Sequence, residues 1–81
     1  MAKVASRYIT LLQESQHWFK DEFERKHKLK VQPLGYTDSS TTLYTFRIST
    51  KKSVRQVQDM VWDLNGGGWA RVEKNNPREA R

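Results

Sequence analysis

A chain of 81 residues with no cysteine must hold its fold without a disulfide or a cysteine-bound zinc. That task falls to apolar side chains, and nine residues are aromatic: three Trp, three Tyr and three Phe. Aromatic rings bury large areas, which offsets the short chain. With 36% hydrophobic and 30% charged residues, the composition fits one folded domain with a narrow core and argues against disorder. The missing thiol also removes a cysteine nucleophile. Met1-Ala2-Lys3 leads into a mixed pattern without a signal-peptide core or a long apolar run. The expectation is therefore a cytoplasmic, non-membrane protein.

Residues 3 to about 27 contain neither Gly nor Pro. At 100° per residue, Val4, Tyr8, Leu11, Leu12, Ser15, Phe19 and Phe23 fall on one stripe, which predicts a long amphipathic helix. Lys28-Leu29-Lys30-Val31-Gln32 alternates with period two and predicts a strand, ended or confined to a sheet edge by Pro33. Thr37-Asp38-Ser39-Ser40 is a turn signal, and Thr41 to Ser49 reads as the second arm of a β-hairpin. Ser53 and Gln56 have capping-box spacing, so a second helix starts there and carries Val54, Val57, Met60, Val61 and Leu64. Gly66-Gly67-Gly68 ends it. Trp69 to Glu73 predicts a short third strand, and the basic segment from Lys74 is expected to fray.

These elements predict a small two-layer α+β domain over residues 1–73, ordered α-β-β-α-β, with residues 74–81 as a tail. Both helices would cover the sheet face carrying Leu29, Val31, Tyr44, Phe46 and Ile48. The opposite face would carry Lys28, Lys30, Gln32, Thr45 and Arg47.

Charge points to function. Between Arg25 and Arg55 eight Lys and Arg meet one Asp, a net +7, whereas the rest of the chain is nearly neutral. One strongly basic portion is the footprint of an anionic partner, and nucleic acid is the commonest for a small domain. Lys51, Lys52 and Arg55 crowd the positive end of the second helix, where the macrodipole disfavours cations but free amides favour a phosphate. Arg25 and Lys26 have a structural explanation, because they complement a helix C-terminus. Lys28 and Lys30 lie beyond it and join the nucleic-acid-binding set.

Trp62 lies opposite the apolar stripe of its helix, together with Arg55 and Gln58. An exposed indole there would stack on a base or anchor a protein partner; a buried one would pack on the first helix. Exposure is the expectation. If Ala70 and Val72 face the core, Trp69 and Arg71 extend the basic sheet face. The glycine triplet lacks the ending of a phosphate-binding P-loop. His17, Asp21 and Glu24 share a helical face, but solvated ion pairs explain them better than a metal. No nucleophile-base-acid arrangement is legible, so neither an enzyme nor a cofactor is expected.

The order of helix, hairpin and final helix opening at Lys51-Lys52 resembles the double-stranded-RNA-binding domain over residues 8 to 64. In that family lysines at the start of the last helix bridge phosphates. This chain has two predicted strands where the family has three, and an added strand at the end, so the resemblance implies a mechanism and not membership. The expected function is non-enzymatic binding of RNA or DNA through Lys28, Lys30, Arg47, Lys51, Lys52, Arg55, Trp62, Trp69 and Arg71. The alternative is a small inhibitor or adaptor that binds an acidic protein through Trp62.

Overall fold

Ala5 to Leu12 form a strand and not the first half of a helix. In the computed structural model, which describes residues 3–37, 42–66 and 68–78, the elements are β1 (Ala5–Leu12), a 3-10 turn (Gln13–Ser15), α1 (Gln16–His27), β2 (Gln32–Tyr36), β3 (Leu43–Thr50), α2 (Val54–Asn65) and β4 (Ala70–Glu73). The expected α+β class stands, but the first helix is half its predicted length and a fourth strand precedes it. All pairings are antiparallel and the sheet order is β2-β3-β1-β4. A β-α-β-β-α-β chain with this order has the split βαβ, or ferredoxin-like, topology. That separates it further from the double-stranded-RNA-binding arrangement, because a strand now opens the chain.

The helical stripe seen in the sequence is coincidental in its first half. Ile9 and Leu11 point to the core and are fully buried, while Tyr8 and Thr10 take the other face. β1 pairs with β3 on one side and β4 on the other. A strand held on both sides draws on the β-preferring residues Tyr8, Ile9 and Thr10 and on non-local pairing, which override a local helical pattern.

One core joins both layers. Ile9 and Leu11 of β1, Phe19 and Phe23 of α1, Phe46 and Ile48 of β3, Val57 and Val61 of α2, and Val72 of β4 are buried together with Val31. Phe19 stands 5.2 Å from both Phe23 and Phe46, ring centre to ring centre. Each such ring contributes about 1.5–3 kcal/mol by leaving water. Both helices therefore lie on the face of Tyr44, Phe46 and Ile48, as expected.

Local chemistry fixes the helix ends. The Gln56 amide donates to Ser53 Oγ at 3.1 Å, and the Ser53 amide donates to Gln56 Oε1 at 2.9 Å. This reciprocal capping box starts α2, and Gly66 ends it with φ of 61°. α1 ends at Lys28, a non-glycine residue with φ of 56°. The Glu24 carboxylate accepts the Val31 amide at 2.8 Å, which ties the chain after this turn back onto the helix. That amide first, and then Lys20 and Lys30, hold the Glu24 carboxyl below its ordinary range against an opposing effect of desolvation.

The turn corrects two assignments. Lys28 is a helix cap and Lys30 precedes β2, so neither belongs to a strand. β2 begins at Gln32 and contains Pro33, which an edge strand tolerates. The turn signal at Asp38 to Ser40 lies outside the described residues.

The opposite edge, β4, is closed by a side chain. Gln58 of α2 donates from Nε2 to the Ala70 carbonyl at 3.3 Å and accepts the Val72 amide on Oε1 at 3.2 Å. Its primary amide thus stands in for a neighbouring strand and blunts an edge open to foreign pairing.

Candidate nucleic-acid interface

Register places four side chains in one row across the helix-free face of the sheet: Gln32 on β2, Arg47 on β3, Tyr8 on β1 and Glu73 on β4. The next row holds Gly35, Thr45, Thr10 and Arg71. Ala70 is half-buried and Val72 buried on the core side, so Arg71 and Glu73 project to the helix-free side, with Trp69 beyond them. The Arg71 guanidinium carbon lies 6.0 Å from the Trp69 ring centre, within cation–π range.

Arg47 is held before any ligand arrives. Its Nε donates to Ser6 Oγ at 3.0 Å and one terminal nitrogen donates to Gln32 Oε1 at 2.9 Å. Both acceptors are neutral, so the guanidinium charge stays uncompensated by them while its orientation is fixed. A preset fork of this kind loses less entropy on meeting a phosphate than a free lysine does. Beside it Lys30, Val31, Gln32, Arg47 and Ser49 line a shallow groove of about 440 Å³. Lys30 therefore reaches the face from the approach to β2, although not from a strand.

The remaining sequence candidates fall elsewhere. Lys51, Lys52 and Arg55 are exposed at the end of β3 and the first turn of α2, a second basic group at the rim of the sheet. Lys51 lies four residues beyond Arg47, roughly 13 Å along an extended chain. The capping box already uses the Gln56 amide, so this group would bind mainly through its side chains. Lys28 sits at the α1 cap. Trp62 is 57% exposed and Trp69 45%, in line with the expected exposure of Trp62. Trp62 belongs to the helical layer, one turn beyond Gln58, and is separated from Arg47 and Tyr8 by the sheet.

Tyr8 and Ser6 were missed because residues 3–12 read as helix, whereas Ser49 and Glu73 lay on predicted strands but were left out of the binding set. Tyr8 is the most consequential, since it is half-buried next to Arg47 on a central strand. The available signal was the alternation of Ser6, Tyr8 and Thr10 with Arg7, Ile9 and Leu11.

The C-terminal segment bears directly on this face. Of the residues expected to fray, the structure describes 74–78, and Arg78 donates to the Tyr36 carbonyl at 2.9 Å and the Leu34 carbonyl at 2.7 Å. Its guanidinium lies over Gly35, 3.5 Å from where a Cβ would stand. Gly35 has φ of 118°, which a side chain would strain.

Among the described residues no group of three His, Cys, Asp or Glu is placed to hold a metal ion. His27 rests on Phe23 with ring centres 4.7 Å apart. Desolvation first, and then Lys26 and Lys52 against an opposing Asp63, push its pKa below 6.5. Lys26 forms an ion pair with Asp63, which lowers the carboxyl in turn. Among the described residues no helix is long and apolar enough to cross a membrane.

The chain matches no protein-family model, and comparison with curated proteins and with solved structures found no match.

Proposed function

We propose that this domain binds single-stranded nucleic acid, RNA or DNA, across the helix-free face of its sheet. The observation that supports this best is the row Gln32–Arg47–Tyr8 beside the Lys30 groove. It puts an aromatic ring and a preset guanidinium side by side on the two central strands. Four-stranded sheets that bind single-stranded RNA use aromatics on such a face to stack bases, with cations taking the phosphates. Sharing a topology with them is an analogy, and it is these side chains that support the reading. Tyr8 would stack a base, Arg47 and Lys30 would take the adjoining phosphate, and Arg71 with Trp69 would continue the track towards β4. Lys51, Lys52 and Arg55 would hold the strand where it leaves the sheet. Nothing in this set performs bond chemistry, so the reading is a binding module.

Titration with single- and double-stranded DNA and RNA at two salt concentrations tests it. Single strands should bind more tightly than duplexes. With six cations engaged, the log–log salt slope should be roughly −4. A duplex preference would return the interface to the Lys51–Arg55 rim.

A second reading has one observation of its own. Trp62, more than half exposed on the helical layer, could anchor a protein partner without touching the sheet face. Retained oligonucleotide binding by Trp62→Ala, with loss of an acidic protein partner, would support it as a separate surface.

A further inference from the structure

We infer that residues 74–78 form a strap that occupies the nucleic-acid face and must be displaced by the strand. This rests on the reading of the helix-free face given above.

Glu73 ends β4 at one edge of the sheet, and five residues later Arg78 grips β2 at the other. The helices fill the far side, so so short a connection can only run over the helix-free side. Burial agrees with that course. Thr10 and Thr45 project from β1 and β3 away from the helices, yet they are only 2% and 0% exposed. Their hydroxyls stand 3.3 Å apart, in the row directly next to Tyr8 and Arg47.

The strap has a definite latch. The Arg78 guanidinium holds the outward carbonyls of Leu34 and Tyr36 on either side of Gly35. The Arg78 amide donates to Asn76 Oδ1 at 2.9 Å, which shapes the turn presenting that side chain. Both latch acceptors are neutral carbonyls. Glu73, at the root of the strap, keeps Oε2 buried with no hydrogen-bond partner, and returning that oxygen to water favours opening. A polyanion would draw Arg78 off the carbonyls because a charged acceptor holds guanidinium more strongly than a neutral one. The freed segment uncovers the sheet next to Tyr8 and turns Lys74 and Arg78 towards the strand.

Replacing the latch gives a test whose sign separates gating from simple charge loss. Arg78→Gln removes a cation, which by itself weakens binding of a single-stranded oligonucleotide. If the strap gates the face, Arg78→Gln instead tightens binding by roughly 3- to 10-fold, because the competent state no longer has to be selected. Nitration of Tyr8, mapped by peptide digestion, should become faster in the same variant. Unchanged or weaker binding by Arg78→Gln, with the unaltered chain binding normally, overturns the strap and leaves the interface standing. Failure of both chains to bind any single strand overturns the strap together with the interface.

Discussion

Tyr8 and Arg47 are register partners on the two central strands, and both project from the face that the helices leave bare. Arg47 is fixed there by Ser6 and Gln32, so the ring has a cation beside it in a set position. If the face binds a single strand as proposed, that pairing would put stacking and phosphate attraction within one nucleotide of each other, which sets the first expectation. Tyr8→Ala should lower affinity for a single-stranded oligonucleotide by about 1–3 kcal/mol, the range for one lost base–aromatic contact. The salt slope should stay the same. Arg47→Gln should do the reverse, reducing the slope by about one unit. Isothermal titration at two salt concentrations checks both.

Trp62 is the control on the other layer. At 57% exposure, Trp62→Ala should change stability by no more than about 0.5 kcal/mol. Oligonucleotide affinity should also hold, because the sheet separates this indole from Arg47. Urea unfolding and a binding titration read the two quantities, and a large loss in either would displace Trp62 from its assigned surface.

The β4 edge depends on Gln58. Gln58→Ala leaves the Ala70 carbonyl and Val72 amide to water or to another chain, and should destabilise the fold by about 1 kcal/mol. Amide exchange at Val72 should rise well above that at Ile9. Self-association at high concentration should follow, because an uncapped edge pairs readily. Light scattering measures that last effect.

Acid should weaken the domain in two stages. His27 has a folded-state pKa below 6.5, so the unfolded chain takes up this proton first as pH falls. Its contribution to stability is complete above about 6.5 and shrinks as pH falls towards the lowered folded value. Glu24 and Asp63 are held below 4.5 and 3.8 respectively. Their contributions therefore persist to lower pH and disappear only as the carboxyls protonate. Denaturant unfolding at pH 8, 6 and 5 should show the first stage, and His27→Gln should flatten it.

Elements with strong local chemistry were legible in the sequence. Ser53 and Gln56 announced α2, the glycines ended it, and Leu43 to Thr50 is rich enough in β-branched and aromatic residues to read as a strand without partners. β1 was hidden because Tyr8, Leu11 and Leu12 satisfy a helical stripe as well as a strand, and only pairing with β3 and β4 decides between them. Lys28 and Lys30 alternate like a strand, but the left-handed turn at Lys28 delays β2 until Gln32, where pairing with Arg47 fixes the register. Arg47 was found on the correct face because its neighbours Phe46 and Ile48 are clearly apolar, whereas the face of Arg71 stayed conditional until Ala70 and Val72 were seen on the core side. Tyr8 could not be found while its segment was assigned to a helix. The hold of Arg78 on β2 was invisible for another reason: it joins residues 44 and 42 positions apart through backbone carbonyls, which leave no side-chain signature.

Binding of a single strand to the helix-free face can be read residue by residue by nuclear magnetic resonance of the isotope-labelled protein. On titration with a single-stranded octanucleotide at low salt, amide and side-chain shifts should concentrate at Ser6, Tyr8, Thr10, Thr45, Arg47 and Ser49. Val57, Val61 and Trp62 should stay nearly still. Shifts confined to the outer surface of α2, or an unchanged spectrum at saturating oligonucleotide, would contradict the account.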